Sequence, residues 1–127
     1  MEFKILDFFE TDVNNKTVYI LHVNIDIDLY LVKLNNYKVL TCNKRNNECV
    51  LEFSKDSKEE VLEEIYNFVR KNGYETFYNK YSIWKESSLS YKQKELANKL
   101  NLECETSGDF NKYLSKLKCK KVLKDVI

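Results

Sequence analysis

Alternation of apolar and polar positions dominates the first half of the chain. From Tyr19 the odd positions read Tyr19, Leu21, Val23, Ile25, Ile27, Leu29 and Leu31, and the even positions between them include His22, Asn24, Asp26 and Asp28. A period of two sends side chains to alternate faces of a strand. This stretch therefore predicts a half-buried antiparallel strand, or a hairpin bent near its middle, with the even face turned to solvent. Residues 3–9 are apolar β-formers and predict a further strand. Asn35-Asn36 is a two-residue turn candidate, because Asn tolerates positive φ. Residues 37–42 and 49–53 then form a hairpin around the polar loop 43–48, a register that brings Cys42 and Cys49 close. A three- to five-stranded antiparallel sheet follows.

The period changes at Ser57. Ser57 with Glu60 has the spacing of a capping box, and Val61, Leu62, Ile65, Phe68 and Val69 fall on one helical face. Lys71 in the last turn and Gly73 just beyond it are stop signals. The pattern predicts a helix over 57–72, packed on the sheet. Tyr74, Phe77, Tyr78, Tyr81 and Trp84 then recur at helical spacing, with a strand as the alternative. Ser90 with Gln93 is a second capping box and opens a helix to about Leu100, with Leu96, Ala97 and Leu100 inward. Gly108-Asp109 precedes a last helix from Phe110, whose apolar positions are Tyr113, Leu114, Leu117, Val122, Leu123 and Val126. No Pro-rich or Ser-rich linker divides the chain, and 85–89 is its one hinge candidate. The fold class is α+β: a body over 1–84, with an antiparallel sheet and one helix, followed by a small basic helical extension over 85–127.

Composition narrows the setting. The chain has 127 residues, 43% hydrophobic and 13% aromatic, enough for a packed core and against wholesale disorder. Lysine outnumbers arginine 19 to 2, and Phe, Tyr, Met, Ile, Asn and Lys make up 57 residues. That bias belongs to a very AT-rich genome, so codon supply accounts for much of the lysine. The net charge of +1 is unevenly divided: residues 1–84 carry −3 and residues 85–127 carry +4. With two glycines a phosphate-cradling loop is not expected. No apolar run approaches the 18 residues that mark a membrane helix. The acidic, strand-like MEFKILDFFETD does not read as a secretory leader. The expected setting is cytoplasmic, with Cys42, Cys49, Cys104 and Cys119 reduced, since they form no C-x-x-C pair and His22 is the single histidine.

Candidate chemistry is sparse. Asp26 and Asp28, with Asn24 and His22, would line one strand face and could hold Mg²⁺ or Mn²⁺ for phosphodiester hydrolysis. The simpler account is the solvent face that such a strand requires. His22 has no nucleophile partner legible in the sequence, so neither acid–base nor cysteine catalysis can be assembled. Tyr74, Tyr78, Tyr81 and Trp84 form an aromatic face that suits core packing, base stacking or a protein anchor. Lys116, Lys120 and Lys121, among the lysines of the last helix, offer a face that could track phosphates. The scarcity of arginine argues against base-specific readout.

Residues 84–124 carry one resemblance. Trp84-Lys85, Ser90, Lys92-Gln93 and Lys99-Leu100-Asn101-Leu102 resemble the short helical tail that follows the motor domains of some phage and bacterial DNA helicases. That tail has Gly where this chain has Asn101, and a Pro before the Ser that is missing here. The resemblance implies no catalytic residue, only a setting near nucleic-acid machinery. The expectation is a non-enzymatic binding protein without cofactor or metal. It would be an accessory or inhibitory protein of a phage or mobile element, acting by protein contact on a nucleic-acid-processing or defence complex. Asp26 and Asp28 would supply an acidic sheet surface that mimics a phosphate backbone. The alternative is direct nucleic-acid binding through 74–84 and the C-terminal lysines, and the third reading is a small metal-dependent nuclease.

Overall fold

The computed structural model describes residues 7–23, 26–72 and 78–127. Five strands follow one another as an antiparallel meander: β1 (Asp7–Val13), β2 (Lys16–His22), β3 (Ile27–Lys33), β4 (Tyr37–Asn43) and β5 (Glu48–Lys55). Four helices come after them: α1 (Lys58–Lys71), α2 (Tyr78–Trp84), α3 (Tyr91–Lys99) and α4 (Ser107–Leu123). The fold is α+β, as the patterning predicts. The alternating stretch is the bent hairpin of the two alternatives, with β2 and β3 paired from Val18 against Val32 to His22 against Asp28. Asn24 lies outside the described residues. Cys42 stands directly opposite Cys49.

Turn chemistry departs from expectation in one place. Positive φ is found at Asn14 (52°) and Asn15 (65°), not at Asn35 or Asn36. Two consecutive left-handed residues make the tight turn whose twist matches a hairpin, so Asn14-Asn15 sets the β1–β2 register. The Asn14 side chain also donates to the carbonyls of Lys124 and Ile127, each at 2.7 Å, which satisfies acceptors at the end of α4.

Helices cover both faces of the sheet. On one, Val61, Ile65 and Val69 of α1 pack against Leu21, Val23, Leu29 and Val39. Burying each such side chain contributes about 1.5–3 kcal/mol. On the other, Cys119 and Leu123 of α4 pack among Phe9, Val13, Val18, Ile20, Tyr30, Val32, Leu40 and Cys42. The last helix therefore does more than extend the body, since it closes half of the core. This corrects the expected solvent face of the β2–β3 hairpin. Ile20, His22, Asp28 and Tyr30 all lie on even positions, and all four are buried beneath the α4 layer.

The helix ends follow their caps. Ser57 Oγ accepts from Glu60 N at 3.2 Å and starts α1, whose Leu62 is exposed, not inward. Ser90 and Gln93 form a complete capping box on α3, but of the three residues expected inward only Ala97 is buried. Asn101, with φ 56°, ends α3 in a left-handed turn, with Leu102 N bonded to Ala97 O at 2.9 Å. α4 starts earlier than its sequence suggests, because Thr106 and Asp109 form a capping box that leaves Gly108 inside the first turn. A Cβ on Gly108 would come within 2.9 Å of Lys85 Cβ and Lys85 O, so this approach needs glycine. Leu117 and Val126 are exposed, while Phe110, Ser115, Cys119 and Leu123 form the inward stripe of α4.

The hinge candidate is fastened. Lys85 O accepts from Gly108 N and Ser87 O from Ser107 N, each at 2.9 Å, and Ser88 bridges to Thr106. The 85–89 segment thereby holds the start of α4 against the end of α2.

Candidate functional site

The α4 face of the sheet contains a connected polar cluster. His22 and Asp28 are cross-strand neighbours on β2 and β3, exposed by only 2% and 0%. Their Nδ1 and Oδ1 atoms are 2.7 Å apart. A contact that short needs a proton between the atoms, so the imidazole donates from Nδ1. Lys44, just after β4, reaches in beside them. Its ammonium has three donors and finds three acceptors: Asp28 Oδ1, Asn111 Oδ1 and Ser115 Oγ, each at 3.4 Å. It also lies 3.3 Å from His22 Nδ1, but that nitrogen already carries the proton given to Asp28. Asn111 in turn donates to Tyr81 Oη at 3.2 Å, and the Tyr81 hydroxyl donates to Asp7 Oδ2 at 3.0 Å.

This chain of bonds ties β1, β2, β3, the β4–β5 turn, α2 and α4 together. Burial, followed by the Asp7 charge, pushes the Tyr81 hydroxyl pKa well up, so it remains a donor. Two buried oxygens on this face of the sheet are less well served. Asp28 Oδ2 makes no hydrogen bond within the described residues, and Tyr30 Oη makes none either, with the Cys42 thiol as its polar neighbour. Three thiols share this side of the sheet. Burial raises Cys42, and burial together with the Cys42 thiol raises Cys49 to about 11 and Cys119 to about 12. All three stay protonated at neutral pH, which makes them poor nucleophiles.

The sequence candidates are scattered by this geometry. Asp28 is interior, so it belongs to no acidic surface. Asp26 precedes β3, is half-exposed and pairs with Arg45 Nε at 2.9 Å. The two carboxylates thus do not share an exposed strand face. Among the described residues no group of three or more His, Cys, Asp and Glu side chains is placed to hold a metal ion. Tyr74 lies outside the described residues, and Tyr78 opens α2 with its side chain outside them too. Tyr81 is 7% exposed and acts in the core, its ring 4.9 Å from that of His22. Trp84 is 41% exposed, 5.7 Å from the Tyr81 ring.

The lysines do gather. Lys112, Lys116 and Lys120 are successive i, i+4 neighbours along α4, flanking its inward stripe. Partial burial and then the charges of Lys112 and Lys120 lower the Lys116 pKa, against which only Glu10 acts. Lys121 is exposed on the same helix, and Lys118 bonds to Asn47. Lys44, Asn111 and Ser115 carry no sequence signal of their roles, because their partners are distant in the chain. In comparisons with known proteins, no family model matches this chain, and no curated protein or solved structure does.

Proposed function

We propose that the protein is a non-enzymatic binding protein that engages an anionic surface of a protein partner through the outer side of α4. The observation that carries this reading is the Lys112–Lys116–Lys120 row. Its like charges repel one another in the free molecule, and an acidic partner would relieve that repulsion. The groups best suited to chemistry, His22 and Asp28, are committed to each other and to Lys44 inside the fold. A protein partner is favoured over single-stranded nucleic acid by the aromatics. Tyr81 is spent in the core, so Trp84 is the only exposed ring of the candidate face among the described residues. The AT-rich composition and the helicase-tail resemblance support an accessory or inhibitory role in a phage or mobile element, near nucleic-acid-processing or defence machinery. Trp84 followed by Lys85 keeps direct nucleic-acid binding as a second reading.

Capture from an AT-rich bacterial lysate, with and without nuclease, separates the two. A protein partner retained after nuclease treatment and released by salt is the expected result. Capture that disappears with nuclease would transfer the function to nucleic acid.

A further inference from the structure

β1 and β5 are the edge strands of the sheet, and they are built differently. β1 carries Asp7, Glu10 and Asp12 and no basic residue, so two copies of that edge repel each other. β5 reads Glu48-Cys49-Val50-Leu51-Glu52-Phe53-Ser54-Lys55, with an acid at its start and a base at its end. An antiparallel partner of the same sequence, related by a two-fold axis between Leu51 and Glu52, brings Glu48 opposite Lys55 of the second copy. The same pairing recurs at the other end. Inside these charge pairs, Val50 meets Phe53 and Cys49 meets Ser54.

Such a match requires opposed residues to face the same side of the sheet, and the irregularity in β5 provides this. Between the Leu40–Leu51 and Val39–Phe53 pairs the register shifts, leaving Glu52 as the extra residue of a bulge. Val50 and Phe53, three positions apart, therefore share the α1 face through their partners Thr41 and Val39. Cys49 and Ser54 share the α4 face, opposite Cys42 and Lys38. In an unbulged strand Val50 and Phe53 would point to opposite faces, and this register would fail. The edge is also apolar and open: Val50 is 54% exposed and Leu51 52%. Beside Leu51 an apolar groove lined by Leu34, Leu40, Val126 and Ile127 lies uncovered by α4. Native edges this apolar are usually blunted by charge or covered.

We infer that β5 pairs with β5 of a second copy, joining two sheets into one across a two-fold axis. Sedimentation equilibrium should show a mass that rises with concentration toward twice the 15.2 kDa of the chain. Glu48→Lys and Lys55→Glu should each weaken the dimer on the order of tenfold, since two charge pairs turn repulsive together, and the double exchange should restore it. Ser54→Cys should cross-link through Cys49 of the second copy on oxidation, and Cys49→Ala should abolish that cross-link. Val50→Lys, at an exposed position, should give a monomer that melts like the parent. Should Val50→Lys unfold the chain, the charge exchange and the cross-link decide. A single 15.2 kDa species up to millimolar concentration would overturn the inference, as would a dimer indifferent to the charge changes.

Discussion

From α1, Val61, Ile65 and Val69 reach a sheet face made of Leu21, Val23, Leu29 and Val39. From α4, Asn111, Ser115 and Cys119 reach the opposite face, where His22, Asp28, Tyr30 and Cys42 lie among aliphatic neighbours. The first face is closed chiefly by apolar area, which depends little on direction. The second is closed by area and by directional bonds, which are satisfied in only one placement of α4. A buried ion pair adds little net stability, because desolvation offsets the attraction. Its effect is to make every other placement of α4 costly. The two faces thus divide the work: α1 supplies stability, and α4 supplies a fixed geometry with a charged outer side.

The largest expected effect separates these roles. Asp28→Ala leaves buried His22 without its acceptor and takes the counter-charge from part-buried Lys44, and should cost about 3–5 kcal/mol in urea denaturation. Exchanging His22, Asp28 and Lys44 together for Leu, Leu and Met should recover much of that loss, because no unpaired charge is then left inside and Asn111 keeps its bond to Tyr81. On the α1 face, Ile65→Ala should cost about 2–5 kcal/mol through the cavity it leaves, and no companion polar change should rescue it. A loss below about 1 kcal/mol for Asp28→Ala would mean that water already reaches the cluster.

A smaller effect follows from the thiols. Cys49 and Cys119 ionise near 9.0 when unfolded, but are raised to about 11 and about 12 in the fold. The folded chain then holds protons that the unfolded chain has released, so the stability they contribute is complete below pH 9.0 and falls as pH rises through 11 and 12. Thermal melts across this range should decline steadily. Cys119→Ala should flatten the decline, and Ile65→Ala should only lower the curve without changing its slope.

The apolar face was legible because one face of α1 and the odd positions of β2 and β3 obey simple periods. The polar face was misread for a physical reason. Alternation records which positions are polar, and His22 and Asp28 are polar, but only the tertiary fold brings α4 over them. Lys44 and Asn111, 67 residues apart, meet through packing that no local period encodes. Asn14-Asn15 carried the turn signal as plainly as Asn35-Asn36, and the chain turns at both, with positive φ only at the first. The spacing of the lysines along α4 was legible, because i, i+4 neighbours depend only on the helix. Trp84 remained accessible, whereas Tyr81 was drawn into the core by its hydroxyl as much as by its ring.

The most direct measurement concerns the outer side of α4. In a variant carrying Lys112→Gln, Lys116→Gln and Lys120→Gln, thermal stability and capture of the nuclease-resistant partner should be read on the same preparation. The melt should match or exceed that of the parent, since the repulsion within the row is gone and the inward stripe of α4 is untouched. Partner capture should disappear. A variant that melts like the parent and still captures the partner would contradict the assignment of α4 as the binding surface.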